Sequence, residues 1–247
     1  MTLRLGVLSN EKRYEAWTRI IERIYKEQIN QAWSQYMFRL VRAVFVTNQK
    51  LSDEGGFVFQ WIVDNYVDAA LMLLRRELDP RAGTESLKNL LSDMVEHPTV
   101  ATRAQYRSKW RQEEPSYRWR SDLAFDSFHP RRVKGDADSD HIDPNQIRAD
   151  IDHLTKSAER LRVYAERTRA HRTPARGVDS VGMTFNAMHD AIVEVRSVVA
   201  KYYALFTLMS IAQWEPVPQF DTLQAFITPW VVDRAAVEQA ANEQIEK

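Results

Sequence analysis

The stretch 11–28, EKRYEAWTRIIERIYKEQ, decides the fold: Trp17, Ile20, Ile21, Ile24 and Gln28 recur at three- and four-residue spacing, the period of a helix with one buried face. The pattern continues through Trp33, Tyr36, Met37, Leu40, Val41 and Val44, which predicts one long helix or two joined at a bend. Gly55-Gly56 opens a break, and Phe59, Ile62, Tyr66, Ala69, Ala70 and Leu73 trace a further helix that stops at Asp79-Pro80. After Thr84, Leu87, Leu90, Leu91, Met94 and Val95 fall at i, i+3, i+4, i+7 and i+8, and His97-Pro98 ends that run.

Periodicity fails from Thr99 to Asp143, where scattered aromatics and Pro115 and Pro130 predict a long irregular excursion with short helical pieces. Asp143-Pro144 then reads as an N-cap followed by proline at the first helical position. It launches Ile147, Ile151, Leu154, Ala158, Leu161 and Ala165 on a helix that must end before Pro174. A last long helix starts near Thr184 and carries Met188, Ile192, Val195, Val199, Tyr202, Phe206 and Met209 as far as Gln213. Phe220 to Trp230 reads as a short helix docking Phe226 and Trp230, and the polar tail 233–247 is expected to fray. The expectation is therefore an all-α fold, a single helical bundle over residues 1–232. Its centre would be two long antiparallel helices, Ile147 to His171 and Thr184 to Gln213.

Composition agrees with helices and narrows the chemistry. Only 7 glycines stand in 247 residues, few for a fold rich in hairpins. With no cysteine there is neither a disulfide framework nor a thiolate metal site. No signal-peptide pattern and no run of about 18 apolar residues is found, so the expectation is a cytoplasmic protein with no membrane span. Formal net charge is zero, which argues against a uniformly basic coat for nucleic acid. Charge is nonetheless segregated: Lys156, Arg160, Arg162, Arg167, Arg169, Arg172 and Arg176 face only Glu159 and Glu166 between 156 and 176, 7 − 2 = +5.

Within that basic segment, Arg160, Tyr164, Arg167 and His171 fall on one stripe at about 100° per residue. Guanidinium groups fork onto phosphate oxygens, a tyrosine stacks on an unpaired base, and an imidazole exchanges protons near neutral pH. The plain alternative is a solvated face, with Glu159 and Glu166 pairing the arginines inside the helix and His171 capping its end. Asp136-Ala137-Asp138-Ser139-Asp140 resembles the start of a calcium loop, but His141 stands where glycine is needed and Ile147 where the bidentate glutamate belongs. A solvated acidic loop is expected there. His129, His141 and His153 lack the spacing of a zinc site; no phosphate loop, nucleophile elbow or dinucleotide fingerprint is present. No metal and no cofactor is expected.

The segment Tyr164-Ala165-Glu166-Arg167-Thr168-Arg169-Ala170-His171-Arg172 resembles the signature of the HEPN superfamily, in particular its AbiU-type abortive-infection branch. Asp79 followed by Ser86-Leu87 and Leu90-Leu91 is similar to an acidic stretch followed by Ser-Leu-x-x-Leu-Leu in that branch, and Phe226 with Pro229-Trp230 is similar to its aromatic close. The resemblance implies a helical homodimer, a metal-independent ribonuclease site built from an arginine and a histidine of each subunit, and an antitoxin or nucleotidyltransferase as partner. RNA is the substrate it implies. His171 matches the family histidine. Its arginine departs from the pattern: four to six residues separate the pair in the family, whereas three separate Arg167 from His171. The phosphate ligand is then Arg167 at shorter spacing, or an arginine of another helix such as Arg75 or Arg76. Arg160, Tyr164, Arg169 and Arg172 would guide nucleic acid. A non-catalytic relative that binds nucleic acid or protein on the same stripe, and a purely structural helical dimer, are the rival readings.

Overall fold

The computed structural model describes residues 8–81, 83–110, 122–123, 125–126, 140–164, 184–227 and 233–237, with side chains except at 108–110 and 158–164. Helix dominates, and no sheet is formed among the described residues. The elements are α1 (Asn10–Thr47), α2 (Gln49–Glu54), α3 (Gly56–Glu77), α4 (Leu87–Glu96), a 3-10 turn (Pro98–Val100), α5 (Arg103–Trp110), α6 (Pro144–Tyr164), α7 (Phe185–Thr207) and α8 (Gln224–Ile227).

The first long run is one helix of 38 residues, α1, capped by the Ser9 hydroxyl, which accepts from Lys12 N–H. A helix that holds one phase cannot bury both halves of the stripe expected from sequence. Continuing from Ile24 and Gln28, the buried face runs through Gln31, Ala32, Gln35 and Phe38. Trp33, Tyr36, Leu40, Val41 and Val44 are instead only partly covered and Met37 is exposed, which corrects the reading of those residues as core. The break before α3 falls at Gly55, where a Cβ would stand 2.6 Å from the Leu51 carbonyl oxygen.

Trp17, Ile20, Ile21 and Ile24 of α1 share a core with Leu71 and Leu74 of α3, Leu87, Leu90, Leu91 and Met94 of α4, Ile147 and Leu154 of α6, and Val195, Val199, Tyr202 and Phe206 of α7. Helix α1 touches α3, α4 and α7, while α6 packs on α4 and α7. Asp150 meets Lys201 and Tyr202, and His153 meets Glu194 farther back along α7, so α6 and α7 run antiparallel as expected. The bundle centre, however, is shared with α1.

Two ends differ in detail from the sequence reading. Helix α7 stops at Thr207 instead of Gln213 because Leu208 takes a left-handed conformation (φ 58°), its N–H still closing on the Ala204 carbonyl. The Thr207 hydroxyl then accepts from Met209 N–H, and Met209, expected in the buried face, is exposed. The short closing helix is present as α8, with Phe226 half-buried; Trp230 lies outside the described residues. Helix α3 is long and apolar enough to cross a membrane by length and composition, unlike the expectation from sequence. In the bundle its Tyr66, Val67, Ala70, Leu71 and Leu74 side is buried.

Candidate functional site

Helix α6 begins as its sequence requires. The Asp143 carboxylate accepts from Asn145 N–H at 2.9 Å, Pro144 opens the helix, and Ile147 and Leu154 lock the phase by burial. Asp150 turns to α7, accepting from Lys201 Nζ (2.6 Å) and the Tyr202 hydroxyl (2.7 Å). His153 and Lys156 are exposed, and His153 Nε2 lies 2.6 Å from Glu194 Oε2. Positions 160 and 164 follow His153 by seven and eleven residues, so each lies within about 20° of the same line along the helix. The backbone therefore aligns Arg160 and Tyr164 behind an exposed histidine. Arg167, Arg169, His171 and Arg172 lie outside the described residues. Arg75 and Arg76, the alternative phosphate ligands, stand exposed in the last turn of α3, where Arg76 pairs with Glu27 at 2.5 Å. With Arg81, Asn30, Gln31 and Ser34 they line an open cleft of about 660 Å³ between α1 and α3.

The acidic loop is partly corrected. Asp140 is buried, and the Arg103 guanidinium spans it (3.2 Å), Asp126 (2.5 Å) and Asp122 (3.4 Å) while covering the Phe125 ring. This ion-pair cluster anchors the start of α5 to the foot of α6. Of the three histidines considered for zinc, His129 is outside the described residues, His153 pairs with Glu194, and His141 Nδ1 contacts the Ile142 carbonyl. Asp93, Glu96 and His97 do bring ligand atoms together, yet Asp93 already accepts from Arg13 (2.5 Å) and Trp17 Nε1 (2.7 Å). A buried guanidinium against that carboxylate opposes a dication, and the trio ties α1 to α4.

Sequence reasoning missed the most unusual polar centre. On α7, His189 and Arg196 are seven residues apart, hence on one line, immediately beside the core line of Met188, Ile192, Val195 and Val199. His189 Nε2 meets the Tyr66 hydroxyl at 2.9 Å, and the Tyr66 ring stacks on Phe38 at 4.2 Å. Arg196 is 5% exposed; Nη1 donates to Gln35 Oε1 (3.0 Å), and the guanidinium sits over Trp214 (5.8 Å). Its Nε and Nη2 are buried with no hydrogen-bond partner among the described residues. Burial pushes the guanidinium down to about 10, with nearby Arg39 acting in the same direction. Burial, then Arg39 and Arg196, hold His189 below the usual histidine range, against a weaker opposing pull from Asp190. Burial raises Tyr66 to about 12, so its hydroxyl stays protonated near neutrality. The signal was legible as two polar residues one heptad apart on a helix otherwise apolar along that side.

Compared with known proteins, the chain matches no family model, no curated protein and no solved structure.

Proposed function

We propose that the chain is an HEPN-like protein that acts on RNA through the basic stripe of α6 and the residues that follow it. The observation that supports this reading is the register of α6. Its described turns leave the His153 and Lys156 side open to solvent, and the same line carries Arg160 and Tyr164. In the catalytic form, His171 takes the proton of a ribose 2′-hydroxyl as that oxygen attacks the adjacent phosphorus; the bond to the 5′-oxygen breaks as that oxygen takes up a proton, leaving a 2′,3′-cyclic phosphate and a 5′-hydroxyl. Arg167 stabilises the charge on the phosphoryl oxygens, and Arg169 and Arg172 hold flanking phosphates. No metal is needed. The reading includes a homodimer that brings two such helices together and an antitoxin or nucleotidyltransferase partner, both on the strength of the resemblance, and a cytoplasmic setting, which a chain without cysteine suits.

Incubating wild type and His171→Ala with total RNA in EDTA tests it. Cleavage by wild type alone supports the enzyme. Absence of cleavage with retained RNA binding favours the non-catalytic binder. In that case three or four arginine contacts give a slope of log affinity against log salt of roughly −2 to −3. A flat slope, or equal binding when Arg160, Arg167 and Arg172 are all alanine, overturns both forms.

A further inference from the structure

The centre around Arg196 is more than architecture. A guanidinium removed from water is tolerable when a carboxylate or several acceptors replace the lost solvent; unpaired, it is strongly destabilising. Among the described residues Arg196 has one amide oxygen, an aromatic face and two nitrogens without a hydrogen-bond partner. Beyond burial, Arg39 opposes its charge and Glu215 favours it, while burial, then Arg39 and Arg196, hold His189 below the usual histidine range. A compensating anion, Glu215, bridges to Arg39 at 2.8 Å and does not reach Arg196 by a hydrogen bond among the described residues. Fixed donors converging without an acceptor are the arrangement of an oxyanion site.

What covers these donors is the segment 208–227, which returns along α1 after the left-handed turn at Leu208. Trp214 lies over Arg196 and beside Tyr25 (5.7 Å), Glu215 grips Arg39, and Thr222 meets the Tyr36 hydroxyl at 2.9 Å. Trp214 packs against the core, but the ion pair beside it is shallow: the Arg39 and Glu215 side chains are 50% and 69% exposed, and a pair so exposed contributes little. Glu215 therefore occupies the carboxylate position of a charge pair that a stronger anion can take over.

We propose that Arg196 and Arg39 form a binding site for a small phosphate-bearing anion, free phosphate or a phosphate monoester, closed over by the 208–227 segment through Trp214. Phosphate oxygens accept from Arg196 Nε and Nη2 and from the Arg39 guanidinium released by Glu215, and the protonated Tyr66 hydroxyl keeps His189 in place beside them. Two guanidinium groups suit a terminal phosphate, whose second negative charge and third free oxygen an internal phosphodiester lacks. The site is separate from the α6 stripe, so its test is independent of RNA cleavage.

Thermal unfolding and calorimetric titration of the full chain with inorganic phosphate, adenosine monophosphate and an oligonucleotide without terminal phosphates decide the matter. Phosphate and the monophosphate are expected to raise the midpoint in proportion to ligand excess, and the oligonucleotide to leave this site empty. Arg196→Met is expected to unfold at a higher temperature than wild type without phosphate and to lose the phosphate-dependent rise. Arg39→Gln, a change at a half-exposed position, is expected to weaken phosphate about tenfold or more while leaving the ligand-free midpoint nearly unchanged. Equal phosphate responses in wild type and Arg39→Gln, or no heat of binding to wild type, overturn the proposal. A phosphate effect that survives in Arg196→Met marks general salt stabilisation and overturns it as well.

Discussion

Two buried polar side chains show what a residue can hide from its letter. Gln28 sits on the apolar stripe of α1 with no exposed surface, and both its amide atoms lack a hydrogen-bond partner among the described residues. Such an amide is desolvated without return. Gln28→Leu, of similar volume, is expected to stabilise the fold by about 1 kcal/mol, read as a higher denaturant midpoint at unchanged slope; a loss of stability would mean that the amide has a partner. Glu77 is also fully buried. It accepts from Leu87 N–H at 3.2 Å, and burial raises its carboxyl to about 7, with Arg23 and Arg76 pulling the other way and Glu27 adding to the rise. The unfolded chain ionises this group near its ordinary 4.5, so the folded state holds the extra proton between 4.5 and about 7. Stability from Glu77 is thus complete below that window and is lost as pH rises through it, by roughly 3 kcal/mol. His189 acts oppositely: its folded value is depressed, so its contribution disappears as pH falls below the ordinary 6.5. Glu77→Gln is expected to be more stable than wild type at about pH 8 and to lose the decline across the window; parallel profiles for the two proteins would contradict this.

Among elements, α4 was the most legible. Its five apolar positions fixed the phase, and the residue before it, Ser86, supplies the cap. The Ser86 hydroxyl accepts from Asn89 N–H (3.1 Å) and donates to the Asp79 carbonyl (2.6 Å), so one buried oxygen closes the helix start and the turn from α3. Ser86→Ala is expected to cost about 1–2 kcal/mol, whereas Ser92→Ala, whose hydroxyl only donates back to Lys88 within the helix, is expected to change stability by less than about 0.5 kcal/mol. Equal effects would remove the special role of the cap. The end of α7 was not legible, because Leu208 and Met209 continue the apolar run and no glycine marks the left-handed residue. Nor was the second half of α1, where Trp33, Tyr36 and Met37 outweigh Gln31 and Gln35 on any hydropathy count. The helix still buries the glutamines, because its phase is set by Trp17, Ile20 and Ile24. The α6 stripe was readable as a line of residues, but what a line faces depends on its neighbours in space. His189 and Arg196 escaped notice for the same reason, since Tyr66, Gln35 and Trp214 come to them from distant parts of the chain.

At the scale of the molecule, α1 is the shared wall of the bundle, and α3, one of its neighbours, is not fully covered. Phe57, Val58, Trp61 and Met72 are exposed and fall within about 100° of one another around α3. Single exposed apolar residues need no explanation, but a tryptophan and a phenylalanine one turn apart on a helix are the residue types that anchor protein interfaces. A homodimer is part of the function proposed above, and among the described residues this side of α3 offers an apolar surface for a second copy. Stable association needs about 1,000 Å² or more of buried surface, so the aromatic pair must act as its centre and neighbouring residues as its rim. Sedimentation equilibrium across the micromolar range is expected to show a dimer for wild type. Trp61→Glu combined with Phe57→Asp is expected to shift it to monomer at unchanged helical content, because neither side chain contributes to the monomer core. A wild-type monomer throughout the range would remove the dimer from the proposed function. A dimer that survives the double substitution would place the interface elsewhere and leave the exposed side of α3 without that role.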